Sequence, residues 1–213
     1  MSEGRKPLIV PGPAIIPPAK EVFTRPHSRY GRFDRFTTLG CAAVALTLKD
    51  AGHEEGFTEP VGMVVSTTYD VLETDMAYYQ TTLDQGGTLS SPNLFSYTLP
   101  VIVLGECAVL FRLTGPTFCV GNQGGLGSFA LNNAVSMLAS GKASKMLAGW
   151  IDSPPPDMSE NGHKISGSIF VLLDPNPSRV LPYASRIRYE KGILSYENNA
   201  IPSLENLFTP AET

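Results

Sequence analysis

Three short runs of apolar residues constrain the fold of this chain more than any other feature of its sequence. They read Val-Gly-Met-Val-Val-Ser at 61–66, Thr-Phe-Cys-Val-Gly at 117–121 and Lys-Met-Leu-Ala-Gly-Trp-Ile at 145–151. Continuous apolar runs of this length are typical of strands that are buried on both faces of a parallel sheet. Segments predicted to be helical accompany them, at 34–49, 69–83, 99–113 and 128–139. This alternation predicts an α/β fold with a mixed, mostly parallel sheet flanked by helices.

The chain divides into three parts by composition. Residues 1–33 contain six prolines, which predicts an extended, Pro-rich lead-in with at most two short strands. Residues 34–191 carry the apolar patterns of the main domain and end with a predicted strand at 185–189. Residues 192–213 follow the last predicted strand and are predicted to form a flexible, solvated tail.

Charge and cysteine content exclude several classes of function. The 213 residues carry 20 acidic and 16 basic side chains, so neither nucleic acid nor an anionic membrane is expected as a partner. No segment reaches the ~18 to 20 apolar residues that a membrane span needs, and the first residues lack the apolar core of a signal peptide. Three cysteines lie in apolar surroundings, which favours buried, reduced thiols and a cytoplasmic protein. They are Cys41, Cys107 and Cys119.

A glycine-rich turn links the second apolar run to the helix predicted at 128–139. It reads Gly121-Asn122-Gln123-Gly124-Gly125-Leu126-Gly127. A turn of this kind holds one side chain at a helix N-terminus, where free backbone N–H groups favour an anion. A cysteine at that point becomes a thiolate nucleophile. By itself the turn has a plainer explanation, because glycines also let a chain bend and let a helix pack closely on a sheet.

Further motifs surround this turn. Ser91-Pro92-Asn93-Leu94-Phe95-Ser96-Tyr97-Thr98-Leu99-Pro100 and Gly115-Pro116-Thr117-Phe118-Cys119-Val120 precede it. After it come Ala134-Val135-Ser136-Met137-Leu138, Gly141-Lys142-Ala143 and Met146-Leu147-Ala148-Gly149. Over residues 30–190 this series resembles the N-terminal half of the β-ketoacyl synthases, the condensing enzymes of fatty-acid and polyketide assembly. The resemblance implies a thiolase-like fold, of which this chain would hold the N-terminal half only.

The resemblance breaks at the residue that carries the family's chemistry. In the family the turn reads Thr-Ala-Cys-x-x-Gly, and its cysteine carries the acyl chain. Counting forward from Gly115 and back from Gly141 places Gly124 at that position, so no catalytic residue is expected here. With a one-residue gap, the adjacent Gln123 resembles the glutamine that replaces this cysteine in the chain-length factors of aromatic polyketide and aryl polyene systems.

The family also uses two histidines from a C-terminal half that this sequence does not show. The histidines present are His27, His53 and His163, and each falls in a polar or proline-rich segment. All three are predicted to be solvated surface residues, from which a Cys-His-His site cannot be assembled.

Other candidate nucleophiles have plainer explanations. Cys119 lies within the strand before the turn, where a buried thiol without an adjacent base or cation is expected to be inert. Ser128 begins the helix after the turn, but no Gly-x-Ser-x-Gly motif surrounds it. We therefore expect Ser128 to cap the helix rather than to act as a nucleophile.

Charged side chains near the end of the domain are also predicted to be structural. Asp152 and Asp157 are expected to be solvated loop carboxylates, so no metal and no cofactor is predicted. A cationic group is expected on the outer face of a strand, where it would also suit the acidic surface and phosphopantetheine arm of an acyl carrier protein. It comprises Arg186, Arg188 and Lys191.

Three functions stay open, and the first is favoured. The chain would be a non-catalytic subunit, chain-length-factor-like or scaffolding, in fatty-acid, polyketide or aryl polyene synthesis. Alternatively, it would be an acyl-thioester decarboxylase or transferase that uses Gln123 and the helix N-terminus as an oxyanion site. The third alternative is a plain acyl or small-molecule binding module with the family's cleft but no partner.

The resemblance also implies how such a subunit assembles. In the family the strand before the turn lies at the sheet edge and pairs antiparallel with its twin across a two-fold axis. Here that dimer strand comprises Thr117, Phe118, Cys119 and Val120. We therefore expect a homodimer of the isolated chain, and a heterodimer with a full-length synthase in the cell.

Overall fold

The structure of the protein is a computed structural model. It describes residues 9–11, 19–23, 28–122, 125–155, 158, 165–176, 187–190, 193–196, 199–200 and 204. The helices are α1 (Ala19–Val22), α2 (Arg35–Ala51), α3 (Leu72–Leu83), α4 (Pro92–Phe95), α5 (Ile102–Phe111) and α6 (Ser128–Ala139). The strands are β1 (Ile9–Pro11), β2 (Val61–Thr67), β3 (Thr117–Gly121), β4 (Lys145–Asp152), β5 (Ile165–Leu173), β6 (Ile187–Glu190), β7 (Ile193–Tyr196) and β8 (Asn199–Ala200).

A five-stranded sheet in the order β1-β5-β4-β2-β3 forms the centre of the domain. Strand β2 pairs in parallel with both β3 and β4. Strand β5 runs antiparallel to β4, and β1 runs antiparallel to β5. Four of the five strands therefore point the same way, which confirms the predicted mixed, mostly parallel sheet. Strands β6, β7 and β8 form a separate antiparallel sheet.

Helices cover both faces of the five-stranded sheet. On one face α2 and α5 pack on β2 through side chains that include Met63 and Val65. On the other face α6 packs on Val64 and on Trp150 of β4. The alternation of Met63, Val64 and Val65 between the two cores is the period-two pattern of a strand. Every residue of β2 is buried, as its continuous apolar sequence predicts.

The main elements follow the predicted boundaries within a few residues. Helix α2 begins after Asp34, whose Oδ1 accepts a hydrogen bond from the Thr37 backbone N–H at 2.9 Å, and it ends at Gly52. Helix α5 is shorter than predicted because Arg112 takes a left-handed backbone conformation that stops it. The strand predicted at 185–189 is observed as β6, and residues 185 and 186 lie outside the described residues.

Two predictions about the ends of the chain need correction. The lead-in 1–33 is not extended throughout, because residues 19–22 form α1, whose Val22 is buried against the α2 core. The tail 192–213 is not flexible and solvated throughout, because it contains β7 and β8 and because Leu204 is fully buried beside α6 and β4. Burial of one leucine side chain stabilises a fold by roughly 1.5 to 3 kcal/mol. The sequence signal for this anchor was the helical spacing of Ile201, Leu204 and Phe208. The domain boundaries themselves stay a prediction.

Candidate site at the glycine-rich turn

The glycine-rich turn lies where the sequence places it, between the edge strand β3 and the first residue of α6. Among its residues, Gln123 and Gly124 lie outside the described part of the chain. The assignment of Gly124 to the nucleophile position and any role of Gln123 therefore stay predictions. Gly121, Asn122 and Gly125 to Gly127 are described and define how the turn is held.

Gly127 is the most constrained residue of the turn. It is the N-cap of α6 and has a left-handed φ of 72°, so the capping role predicted for Ser128 belongs to Gly127 instead. A Cβ atom at this position would lie 2.3 Å from Cδ1 of Leu204 and 3.3 Å from Cβ of Trp150. Glycine is therefore required here both for its backbone conformation and for the close approach of α6 to the core.

Asn122 ties the two ends of the turn to the end of β2. Its backbone N–H donates to the Thr67 carbonyl at 2.8 Å, and its Nδ2 donates to Thr68 Oγ1 at 3.4 Å. Its Oδ1 accepts a hydrogen bond from the Gly127 backbone N–H at 3.3 Å. The side chain thus satisfies one of the free N–H groups at the start of α6, which in a catalytic turn would face an anion.

Asp152 is the residue that the sequence analysis misjudged. It is the last residue of β4 rather than a loop residue, and only 2% of it is exposed. Its Oδ1 accepts hydrogen bonds from Thr67 Oγ1, the Thr68 N–H and the Tyr69 N–H, and its Oδ2 accepts one from Trp150 Nε1. Its place directly after an apolar run indicates the edge of the sheet where parallel strands end, but the sequence does not show which donors meet the carboxylate there.

The charges around the end of β3 disfavour an anion. Burial and the nearby Asp152 and Asp75 raise the pKa of Asp70, which follows β2. Burial, with a smaller contribution from Asp70, raises the pKa of the Cys119 thiol to about 12. A group that is difficult to ionise is a poor nucleophile, so the physical environment of Cys119 supports its predicted inertness.

Cys119 should therefore react slowly with thiol reagents in the native protein. We expect alkylation by iodoacetamide at pH 8 to be about a hundredfold slower than for an exposed cysteine, whose pKa is about 8.5, because the greater nucleophilicity of a high-pKa thiolate offsets only part of its scarcity. Mass spectrometry of the native and the denatured protein measures the difference. Rapid labelling of native Cys119 would contradict its assignment as a neutral, half-buried thiol.

The other cysteines and the histidines lie apart from the turn. Cys41 and Cys107 are fully buried, free thiols with their Sγ atoms 3.6 Å apart, as predicted. His53 follows α2, and its ring packs on Phe57 with ring centroids 4.7 Å apart. His27 and His163 lie outside the described residues.

The described residues group no metal ligands, and they include only one member of the predicted cationic group. Within that part of the chain, no three histidine, cysteine or acidic side chains are grouped as metal ligands. Of the predicted cationic group, Arg186 and Lys191 lie outside the described residues, and Arg188 falls on β6. No helix in the described ranges is both long enough and apolar enough to cross a bilayer.

Comparison with known proteins places this arrangement in a family. The sequence profile of the β-ketoacyl synthase N-terminal domain matches residues 17–159. The 3-oxoacyl-(acyl-carrier-protein) synthase 2 of Rhizobium meliloti (strain 1021) is 26% identical over 180 residues, which cover 83% of this chain and 42% of that protein. The chain thus spans less than half the length of this curated relative.

Two solved structures share the fold. One is the ishigamide ketosynthase/chain length factor, with a TM-score of 0.60 and 19% identity over 74% of this chain and 49% of that chain. The other is the ketosynthase ApeO in complex with its chain length factor ApeC from Xenorhabdus doucetiae. There the TM-score is 0.54 and the identity 16%, over 80% of this chain and 76% of the matched chain. Because the profile match covers more than half of the sequence, this chain belongs to the β-ketoacyl synthase family through its N-terminal domain.

Proposed function

We propose that this protein is a non-catalytic, chain-length-factor-like subunit that pairs with a full-length β-ketoacyl synthase in fatty-acid, polyketide or aryl polyene synthesis. The observation that carries the proposal is the turn between β3 and α6, because residues 121–128 contain no cysteine. The nearest thiol is that of Cys119 inside β3, whose pKa is raised to about 12. The reduced thiols of the core support a cytoplasmic site of action.

The relatives support pairing as the role of such a chain. The two solved structures are, by their descriptions, a ketosynthase/chain length factor and a ketosynthase in complex with its chain length factor. In the second case the alignment covers similar shares of both chains, so the matched chain is close in length to this one. A chain of this size therefore has a counterpart in a ketosynthase complex.

Strand β3 offers the edge through which pairing would occur. It is the last strand of the five-stranded sheet and carries neither charge nor proline. The Met63 N–H donates to the Pro116 carbonyl, and the Asn122 N–H donates to the Thr67 carbonyl. The backbone N–H and carbonyl groups of the even-numbered residues between them, 118 and 120, therefore face β2. Since backbone groups alternate along a strand, the N–H groups of Thr117, Cys119 and Gly121 point away from the sheet. Such an open edge favours addition of another strand.

Co-expression tests the pairing. The chain is expressed with each full-length β-ketoacyl synthase of its own genome, and the products are separated by size exclusion with light scattering. We expect a stable one-to-one complex with one synthase, and a homodimer when the chain is alone. Failure to form a complex with any of these synthases would refute the proposed function. An acyl carrier protein, the other partner that the resemblance implies, is tested by adding it to the complex.

The absence of a nucleophile predicts chemical inertness. Incubation of the protein with acyl thioesters should give no covalent adduct by intact-mass spectrometry, whereas a full-length synthase in the same assay should be acylated. Gly124→Cys alone should still give no condensation product, because the described histidine, His53, lies in the loop after α2 and packs on Phe57. An adduct on the unmodified chain would favour the alternative acyl-thioester enzyme.

A further inference from the structure

The side chain of Asp152 connects three elements that meet at the glycine-rich turn. Its Oδ1 accepts hydrogen bonds from Thr67 Oγ1 at 2.8 Å, from the Thr68 N–H at 2.7 Å and from the Tyr69 N–H at 2.9 Å. Its Oδ2 accepts a fourth from Trp150 Nε1 at 2.7 Å. A buried carboxylate is costly unless its acceptor sites are used, and here four donors satisfy it.

Two of the residues that are hydrogen-bonded to Asp152 also accept hydrogen bonds from Asn122 of the glycine-rich turn. Thr67 supplies the carbonyl that accepts the Asn122 N–H, and Thr68 supplies the Oγ1 that accepts from Asn122 Nδ2. Asn122 in turn accepts from the Gly127 N–H at the start of α6. Hydrogen bonds thus link Trp150 to Asp152, Asp152 to Thr67 and Thr68, these two residues to Asn122, and Asn122 to Gly127.

This chain of hydrogen bonds also sets the end of β3. Residue Thr67 is the register partner of Gly121, the last residue of β3, and Asn122 follows it directly. Movement of the 67–69 segment would therefore displace both the end of the edge strand and the turn behind it. Trp150 lies on the opposite side of the sheet from the core around α2 and α5, and none of the hydrogen bonds named above involves a residue of those two helices.

We propose that Asp152 is a positioning residue, which holds the 67–69 segment and, through Asn122, keeps the end of β3 and the start of α6 at Gly127 in place for pairing with the synthase. The link to pairing with the synthase rests on the proposed function. The positioning of Asn122 and Gly127 by Asp152 rests on the hydrogen bonds alone, and it is measurable in the isolated chain.

Hydrogen exchange of backbone amides in the Asp152→Asn variant tests whether Asp152 positions the end of β3 and the start of α6. An asparagine amide places an N–H₂ donor either against Trp150 Nε1–H or against the three donors at Oδ1, so one side of the network is lost. We expect exchange in peptides covering 118–131 to accelerate by about tenfold or more, the equivalent of one hydrogen bond to a charged group. Peptides covering α2 and α5 should be unchanged. Equal acceleration in all peptides, or none, would refute the proposal.

Trp150→Phe supplies the matched background. Phenylalanine removes the Nε1–H that opposes the asparagine amide, so Asp152→Asn should have a smaller effect on exchange in the Trp150→Phe protein than in the wild type. An effect of equal size in both backgrounds would count against the network. If Asp152→Asn does not fold, Thr67→Val removes one donor to Oδ1 and also the Oγ1 that accepts a hydrogen bond from the Asp70 N–H at 2.9 Å. It should accelerate exchange in peptides covering 67–70 and 118–131 and leave α2 and α5 unchanged; unchanged exchange in 118–131 would overturn the proposal.

The affinity for the synthase tests whether the positioning by Asp152 matters for pairing. The Asp152→Asn chain should bind the synthase identified by co-expression about tenfold more weakly than the wild type, in line with the loss of one charged hydrogen bond. Unchanged affinity together with a loosened turn would refute the link to pairing. If the wild-type chain binds no synthase, the proposed function fails, and the exchange data still decide whether Asp152 holds the turn.

Discussion

Gly127→Ala should destabilise the protein by about 2 to 5 kcal/mol, since it combines a strained backbone with an overpacked core. The residue has a φ of 72°, where a side chain costs about 1 to 2 kcal/mol. Its Cβ would also lie 2.3 Å from Cδ1 and 2.7 Å from Cγ of Leu204, which is fully buried and bonded through its N–H to the Leu126 carbonyl. Thermal unfolding should show a fall in Tm of about 5 to 15 °C for a chain of this size.

Gly141→Ala is the control that separates the two causes. Gly141 has a similar φ of 68°, but a Cβ there would meet no atom within 4 Å. It should therefore cost only the backbone strain of about 1 to 2 kcal/mol. Equal losses for the two variants would show that Leu204 yields without cost, and that the close approach of α6 to the core contributes nothing to stability.

Thr117→Pro should weaken pairing with the synthase by about tenfold to a hundredfold, because a partner carbonyl at the edge of β3 loses its donor. Thr117 is exposed, and its N–H points away from β2, so the fold of the isolated chain should be little affected. Proline at Val120 would not serve, because the N–H of that residue faces β2 and the change would break the sheet itself. Isothermal titration with the synthase measures the affinity.

Thr117→Val is the matched control for the edge. Valine keeps the backbone N–H and suits a strand, so its affinity for the synthase should stay close to that of the wild type. A Thr117→Pro chain that binds as tightly as Thr117→Val would show that pairing does not use the edge of β3. The melting temperatures of the two variants reveal any loss of folding that would otherwise imitate a loss of pairing.

Much of the fold was predictable because it depends on local patterns. The runs at 61–66 and 117–121 are strands, and the helix predicted at 128–139 is α6 within its bounds. Spacing of motifs around the turn was sufficient to identify the family, since each motif reflects a local requirement of a strand end or a helix start. Gly127 also follows from its residue type, because a turn into a helix needs a residue that tolerates positive φ.

What the sequence could not show depends on residues that are distant along the chain. Asp152 has the local appearance of a solvated loop carboxylate, and it is buried because the ends of β2 and β4 bring it to the donors of residues 67–69. Leu204 has apolar neighbours in the sequence, but its contact with Gly127 arises because only the folded chain brings α6 and residue 204 together. Residue types and spacings were therefore sufficient to predict the family, the mostly parallel sheet and a turn without a cysteine. The tertiary structure alone decided which buried carboxylate and which leucine hold that turn, since burial and hydrogen-bond partners arise from contacts across more than 70 residues.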